Sequence, residues 1–414
     1  MTATRRDFLQ TTFAAGALAA FGGAAPAAFA SRRANFGASL NILILGGTEF
    51  IGPATVEAAL ARGHKVTLFN RGRREKRKGG PDSRVEHLYG NRDPKKNAAE
   101  DLTVTDSPMG LSALEGRKWD VVIDNSGYFP RMVKASAELL APNAKQYIFI
   151  SSISAYKDNS KKDQDETAEL ATMKDPTVES MGAQFENYGA LKVLCEQAAE
   201  AAFPGRATIV RPGYIVGPGD PTDRFTYWPV RIAQGGEVLC PGTPNDPIEI
   251  IDVRDLGEFL ITLAENKTIG TFNACGPWPA MTMGDVVNAC NKVGGKNATF
   301  TWVDTPFLEK HSLEFPIWAP STGETAGFHT WSNERARKAG LKFRPLEQTC
   351  RDTLAWYPKE VERRTRVTKE MTEEAAKAGK PAPQLPPPDR LKAGPSSEQE
   401  AAALKTWHAE IEKK

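Results

Sequence analysis

The stretch Leu40-Asn-Ile-Leu-Ile-Leu45-Gly46-Gly47-Thr48-Glu49-Phe50-Ile51-Gly52 decides the fold. A short apolar run ends in paired glycines, and Pro53–Arg62 follows with a helix-like pattern. That order reads as strand, tight turn, helix. Glycines in such a turn let the backbone approach a pyrophosphate, which then rests on the helix N-terminus. Gly46, Gly47, Thr48, Phe50, Ile51 and Gly52 are therefore the expected cofactor-binding residues. Glu49 stands where the common spacing has another glycine. A carboxylate cannot assist a pyrophosphate, so its side chain must point elsewhere.

Working outward, Lys65–Phe69, Val85–Leu88, Val121–Ile123, Tyr147–Ile150 and Thr208–Val210 are further short β-rich runs with helical patterns between them. Strands alternating with helices predict an α/β protein with a doubly wound parallel sheet. Their continuous apolar character suits strands covered on both faces. After Pro212 the pattern loosens. Gly217-Pro-Gly-Asp220, Phe225-Thr-Tyr-Trp228 and residues 241–247 read as loops and short elements of a smaller lobe. Ile248–Ile251, Val253–Ala264 and Thr271–Ala274 read as a return to the main sheet. The expected organisation is a main domain over 40–215 with a return near 248–275. An interleaved α+β substrate lobe takes 216–247 and 277–350. The strongly charged tail, 361–414, contains a proline-rich linker at 379–388 and ends in a helix near 397–412.

Lys plus Arg number 53 and Asp plus Glu 51, so the charge balance gives no reason to expect a nucleic-acid partner. No apolar run is long and clean enough for a permanent membrane span. Residues 1–30 differ from the rest. Arg5-Arg6, a soft Ala/Gly-rich stretch and Ala28-Phe29-Ala30 resemble a twin-arginine export signal cleaved after Ala30. The expected location is periplasmic or otherwise exported, with the twin-arginine machinery as a partner. The 5 cysteines form no C-x-x-C pair, so free buried thiols are expected and no metal site is. An oligomer is left open.

Asn70 and Arg71 end the second strand, with Arg73 and Arg74 beyond them. An acid there would bind the ribose 2′-hydroxyl of NAD, whereas arginines accommodate the 2′-phosphate of NADP. NADP is favoured over NAD. Ser151-Ser152-Ile-Ser154-Ala-Tyr156 follows an apolar strand, placing hydroxyls where such sheets bind ligands. Tyr188-Gly-Ala-Leu-Lys192 puts a phenol and an ammonium one helical turn apart. A nearby ammonium would lower the Tyr188 pKa and suit it to proton exchange.

With Arg211-Pro-Gly-Tyr-Ile-Val-Gly-Pro-Gly219 and Asp252-Val-Arg-Asp-Leu256, these motifs resemble the extended short-chain dehydrogenase/reductase family, specifically its NAD-dependent epimerase/dehydratase branch. The similarity runs from about Leu40 to about Leu346. The resemblance implies a Rossmann-like fold, Tyr188 as catalytic acid/base, and Lys192 on the nicotinamide ribose. It implies Ser152, four residues before Tyr156, as the group that polarises the substrate oxygen. Asn91 stands where an adenine-contacting aspartate is frequent, and Asp124–Gly127 replaces a small apolar run. Arg224 and Tyr227 fall where the family builds its substrate pocket. The polar insertion Lys157–Asn187 is expected to be a mobile lid or a disordered excursion.

The expected function is epimerase/dehydratase-type chemistry on a sugar-like or polyol small molecule. An exported enzyme works best with a tightly bound cofactor recycled in each turnover. The Gly-Gly-Thr-x-Phe-Ile-Gly form also resembles proteins related to the chloroplast stem-loop RNA-binding group. The alternative is thus a non-catalytic nucleotide- or RNA-binding protein on the same scaffold.

Overall fold

The computed structural model describes residues 38–72, 80–95, 110–295 and 297–412. Residues 1–30, where an export signal is expected, and the arginines Arg73 and Arg74 lie outside these described residues.

Strand β1 (Asn41–Leu45) pairs in parallel with β2 (Lys65–Asn70) on one side, and the next strand on that side is β3 (Glu86–Tyr89). On the other side of β1 lie β4 (Trp119–Asp124), β5 (Ala144–Ile150) and β6 (Ala207–Pro212). The sheet closes with Gly270–Ala274, the eleventh strand of the chain, giving a seven-stranded parallel sheet. The sheet is Rossmann-like, with its strand order reversing between β1 and β4. A crevice opens at such a reversal, beyond the carboxyl ends of the strands. Leu45 pairs with both Phe69 and Asp124, so β1, β2 and β4 end level with one another.

Five helices precede residue 266 among the described residues: α1 (Ile51–Ala61), α2 (Pro130–Leu140), α3 (Tyr188–Ala202), α4 (Tyr227–Ile232) and α5 (Val253–Glu265). Successive strand side chains point to opposite faces. Ile42 and Ile44 accordingly join Val56, Val66 and Leu260 under α1 and α5. Leu43 and Leu45 join Val122, Phe149, Leu140 and Phe203 under α2 and α3. The four apolar side chains of β1, Ile42 to Leu45, are fully buried, each contributing about 1.5–3 kcal/mol of transfer free energy.

Ile248–Ile251 does not return to the main sheet. Pro247–Ile248 (β9) pairs with Met281–Thr282, while Ile250–Asp252 (β10) pairs with β7 (Tyr214–Val216). Glu249 separates the two, and its N–H donates to His329 Nδ1 at 3.1 Å rather than to a neighbouring strand. The second lobe has its own core, built by Phe225, Trp228 and Ile232 with α6 (Met283–Gly294), α7 (Thr305–Lys310) and the eighth strand, Gly236–Pro241. That eighth strand, β8, pairs in parallel with Ala298–Val303. All five cysteines are free and buried.

After α8 (Glu334–Lys338), one long helix, α9 (Leu346–Lys377), continues well past Val361. The proline-rich stretch beyond it has no helix. It is fastened nonetheless: Tyr357 Oη donates to the Asp389 carbonyl at 2.7 Å. The last helix, α10 (Ser397–Ile411), opens with a Ser396/Gln399 capping box. Its Glu400 pairs with Arg231 and accepts the Leu239 N–H at 3.0 Å, docking the helix on the second lobe. No helix among the described residues is long and apolar enough to cross a membrane.

Candidate active site

The β1–α1 turn needs its glycines for space. Gly46 sits at φ +89°, and a Cβ there would lie 2.6 Å from Ser126 Cβ. A Cβ at Gly52 would lie 2.3 Å from the Gly47 carbonyl carbon. Between them Phe50 is held at φ 35°, a left-handed conformation costly for an aromatic residue. Helix α1 starts without a side-chain cap or an acid in its first turn. The close backbone approach, together with the strand-order reversal, fits a pyrophosphate. Thr48, Glu49 and Ile51 are half-buried around this turn, and the Glu49 carbonyl accepts the Gly52 N–H at 2.8 Å. At the end of β2, Asn70 is buried and Arg71 exposed. Asn91 is buried after β3, its side-chain oxygen taking the Asp93 N–H at 3.0 Å.

Tyr188 is the first residue of α3, and Ser152 caps the short turn Ile153–Ala155 after β5. These two elements touch through Gly189, where a Cβ would stand 2.0 Å from the Ser154 carbonyl oxygen. Ser152 Oγ accepts the Ser154 N–H at 3.1 Å, leaving its own proton to donate. One turn along α3, buried Lys192 donates to the carbonyls of Gly127 (2.9 Å) and Ile150 (2.6 Å). It thereby joins the loop after β4 to the end of β5. Burial brings its pKa down to about 8. The expected lowering of the Tyr188 pKa is not seen. Burial first and the neighbouring Tyr128 second push the phenol up, while Ser152 and Arg224 pull the other way. Lys192 spends its hydrogen bonds on backbone carbonyls, so Tyr188 is held as the protonated phenol.

Sequence reading missed the buried cation next to Asn91. Arg92 Nη2 reaches Asp124 Oδ2 at 2.6 Å and Ser136 Oγ at 2.7 Å, and Tyr147 Oη donates to the same Asp124 oxygen at 2.7 Å. Burial would raise the Asp124 carboxyl, but Arg92 more than offsets it and the net pKa is lowered. This network sets the loop Asp124–Gly127, whose last carbonyl holds Lys192. An aspartate ending the apolar run Val121–Ile123 was the available signal, since a buried charge requires a partner.

Tyr227 is not a substrate contact. It is 2 % exposed and packs edge-on against Trp228 and Phe315 in the lobe core. Apolar burial decided the position of an aromatic that the family pattern had placed in the pocket. Arg224 is half-buried, with its guanidinium 5.0 Å over the Tyr214 ring and near enough to Tyr188 to affect it. The insertion 157–187 is neither a free lid nor an unanchored excursion through its first half. Ala171 N–H donates to Ala155, Gly327 N–H to Asn159 and Ser332 N–H to Gln164, at 2.7–2.8 Å. Glu166 accepts the Asn273 N–H at 2.9 Å. Beside it lies a buried group the sequence did not flag: Glu249, 1 % exposed, whose pKa burial pushes up to about 8.

Fold and strand-end geometry define a Rossmann-like α/β protein, with Ser152 and Tyr188 on elements packed together at Gly189 and Lys192 one turn further along α3. A family model, the NAD dependent epimerase/dehydratase family, matches residues 42–275, and the chain belongs to that family. It is 26% identical over 269 residues to the epimerase family protein SDR39U1 of Bos taurus, covering 63% of this chain and 82% of that protein. It is 27% identical to the chloroplast stem-loop binding protein of 41 kDa b of Arabidopsis thaliana, spanning 63% of that protein. Among solved structures, a UDP-glucose 4-epimerase from Thermotoga maritima shares the fold with TM-score 0.54 at 16% identity, over 77% of this chain and 99% of that one. A UDP-glucuronic acid 4-epimerase from Bacillus cereus does so with TM-score 0.52 at 15% identity, over 76% and 96%.

Proposed function

We propose that the protein is a nicotinamide-dependent epimerase/dehydratase-type oxidoreductase acting on a sugar-like or polyol substrate. The observation that carries this reading is the close packing of α3 on the Ser152 turn, with Lys192 bridging two strand ends behind them. Gly46, Gly47 and Gly52 would hold the cofactor pyrophosphate, and Asn70, Arg71 and Asn91 the adenosine end. A nicotinamide bound there would supply reversible hydride transfer. Ser152 donates a hydrogen bond to the substrate oxygen, polarising it. Tyr188 exchanges the hydroxyl proton, and its raised pKa favours the donating half of that exchange. Lys192 holds the surrounding backbone in register through the Gly127 and Ile150 carbonyls.

The reading extends to location. The Arg5-Arg6 segment supports export by the twin-arginine route with cleavage after Ala30, and a cofactor bound before export and recycled within each turnover. NADP is favoured over NAD by Arg71 and the arginines that follow it. Similarity to the chloroplast stem-loop binding protein supplies a second reading, nucleic-acid binding on the same scaffold. A net charge of +2 gives that reading little electrostatic support. Denaturing the purified protein and assaying the supernatant for NADP(H) and NAD(H) separates the two. Released cofactor is expected. A folded protein that carries none and binds none on addition would remove the oxidoreductase reading.

A further inference from the structure

Behind Arg224 lies a cavity of about 440 Å³, within the size range of small-molecule sites. Its walls come from Ser312–Pro316 and from the strap Lys392–Pro395 that leads into α10. Both wall segments lie beyond residue 275, where the family match ends.

Two cations line the cavity, Arg224 and Lys392, against one carboxylate, the exposed Glu314. Arg224 Nε donates to Thr222 Oγ1 at 2.9 Å, and no carboxylate among the described residues pairs with its guanidinium. Stacking on Tyr214 holds the guanidinium plane and partly strips its water. The strap is latched to the residue preceding it. Asp223, fully buried at φ 59°, accepts the Lys392 N–H at 3.1 Å and Arg364 Nη2 at 2.6 Å. Lys392 Nζ donates to the Pro221 carbonyl at 2.7 Å. The C-terminal segment thus forms a wall of the cavity and also fixes the backbone from which Arg224 projects.

We propose that this cavity is an oxyanion subsite, taking the carboxylate or phosphate of a sugar-like ligand between Arg224 and the C-terminal strap. A planar guanidinium without a protein carboxylate matches either oxyanion by paired hydrogen bonds. Ser152 and Tyr188 are not among the cavity's walls, so the subsite holds an anionic group apart from those hydroxyls. The assignment of a sugar-like ligand rests on the function proposed above, whereas the oxyanion chemistry rests on the cavity alone.

The test is calorimetric titration of the full chain with D-glucuronate, glucose 1-phosphate and neutral glucose. At least one anionic probe is expected to bind saturably, and glucose at least tenfold more weakly, on the order of one charged hydrogen bond. Preference between the two anions identifies carboxylate or phosphate as the group recognised. Arg224→Gln should weaken anion binding by about tenfold or more, and Lys392→Gln by a smaller factor. Failure of both anions to bind at roughly 10 mM, well above ordinary substrate levels, overturns the proposal. So does equal affinity in Arg224→Gln, or glucose binding as well as the anions. Cofactor content measured on the same samples keeps the two hypotheses apart. Anion binding by protein that neither carries nor takes up nicotinamide would remove the oxidoreductase and leave the subsite.

Discussion

Gly189 lies so close to Ser154 that a Cβ on the glycine would stand 2.0 Å from the serine carbonyl oxygen. Two opposed effects follow from Gly189→Ala. Alanine favours a helix over glycine by up to about 1 kcal/mol. Overpacking against a fixed carbonyl costs about 1–3 kcal/mol, and here the neighbour is backbone, which cannot swing aside. Destabilisation of about 1–2 kcal/mol should therefore win, with a drop in turnover of about 100-fold as Tyr188 moves away from Ser152. Urea unfolding decides the sign. A neutral or stabilised variant would mean the two elements are not in this contact.

Tyr188→Phe removes one hydroxyl from a half-buried position and leaves the ring. Turnover should fall by about 10²–10⁴, the usual contribution of a positioned proton-transfer group. Cofactor content and melting temperature should change little. Retained turnover would assign the proton transfer to another group.

Burial brings the Lys192 pKa to about 8 in the fold against 10.5 for an unperturbed lysine. Below 8 both folded and unfolded chains hold the proton, and this group adds no slope. Between 8 and 10.5 the unfolded chain still holds it while the folded chain has released it, so stability rises with pH there. The stability of wild type minus that of Lys192→Met, from urea titrations at successive pH values, should rise across that window. A flat difference would contradict the burial of the ammonium.

Glu249 behaves in the opposite sense. Its carboxyl is raised from 4.5 to about 8, so between those values the folded chain keeps a proton the unfolded chain has lost. Stability contributed by this group therefore falls as pH rises from 4.5 to 8. Glu249→Gln should gain on wild type by roughly 2–4 kcal/mol between pH 5 and pH 8. Parallel stability profiles for the two proteins would show the carboxylate to be ionised and matched.

Much of the frame could be read from local pattern. The apolar run Asn41–Leu45 followed by glycines specifies its own strand and turn, and the spacing of Tyr188 and Lys192 fits the helix that carries both. What escaped was long-range. Arg92 and Asp124 are 32 residues apart, and nothing near either names the other. Ile248–Ile251 is apolar enough for any strand, and only the chain fold shows that β7 receives part of it. Tyr227 and Arg224 sit three residues apart, yet one is core and the other borders a cavity. The polar composition of 157–171 suggested freedom, whereas backbone hydrogen bonds to distant segments hold it.

The docking of α10 has a further consequence. Among the described residues strand β8 pairs with one strand, so without α10 part of its other side would present unpaired backbone groups, the kind of margin on which foreign strands assemble. Glu400 occupies that margin by taking the Leu239 N–H, and Arg231, paired with Glu400, donates to the Glu237 carbonyl beside it. Helix α10 is thereby expected to guard that margin against self-association. A chain shortened before Ser396 would be expected to gather into β-rich oligomers with rising concentration, visible by light scattering, before it lost its sheet.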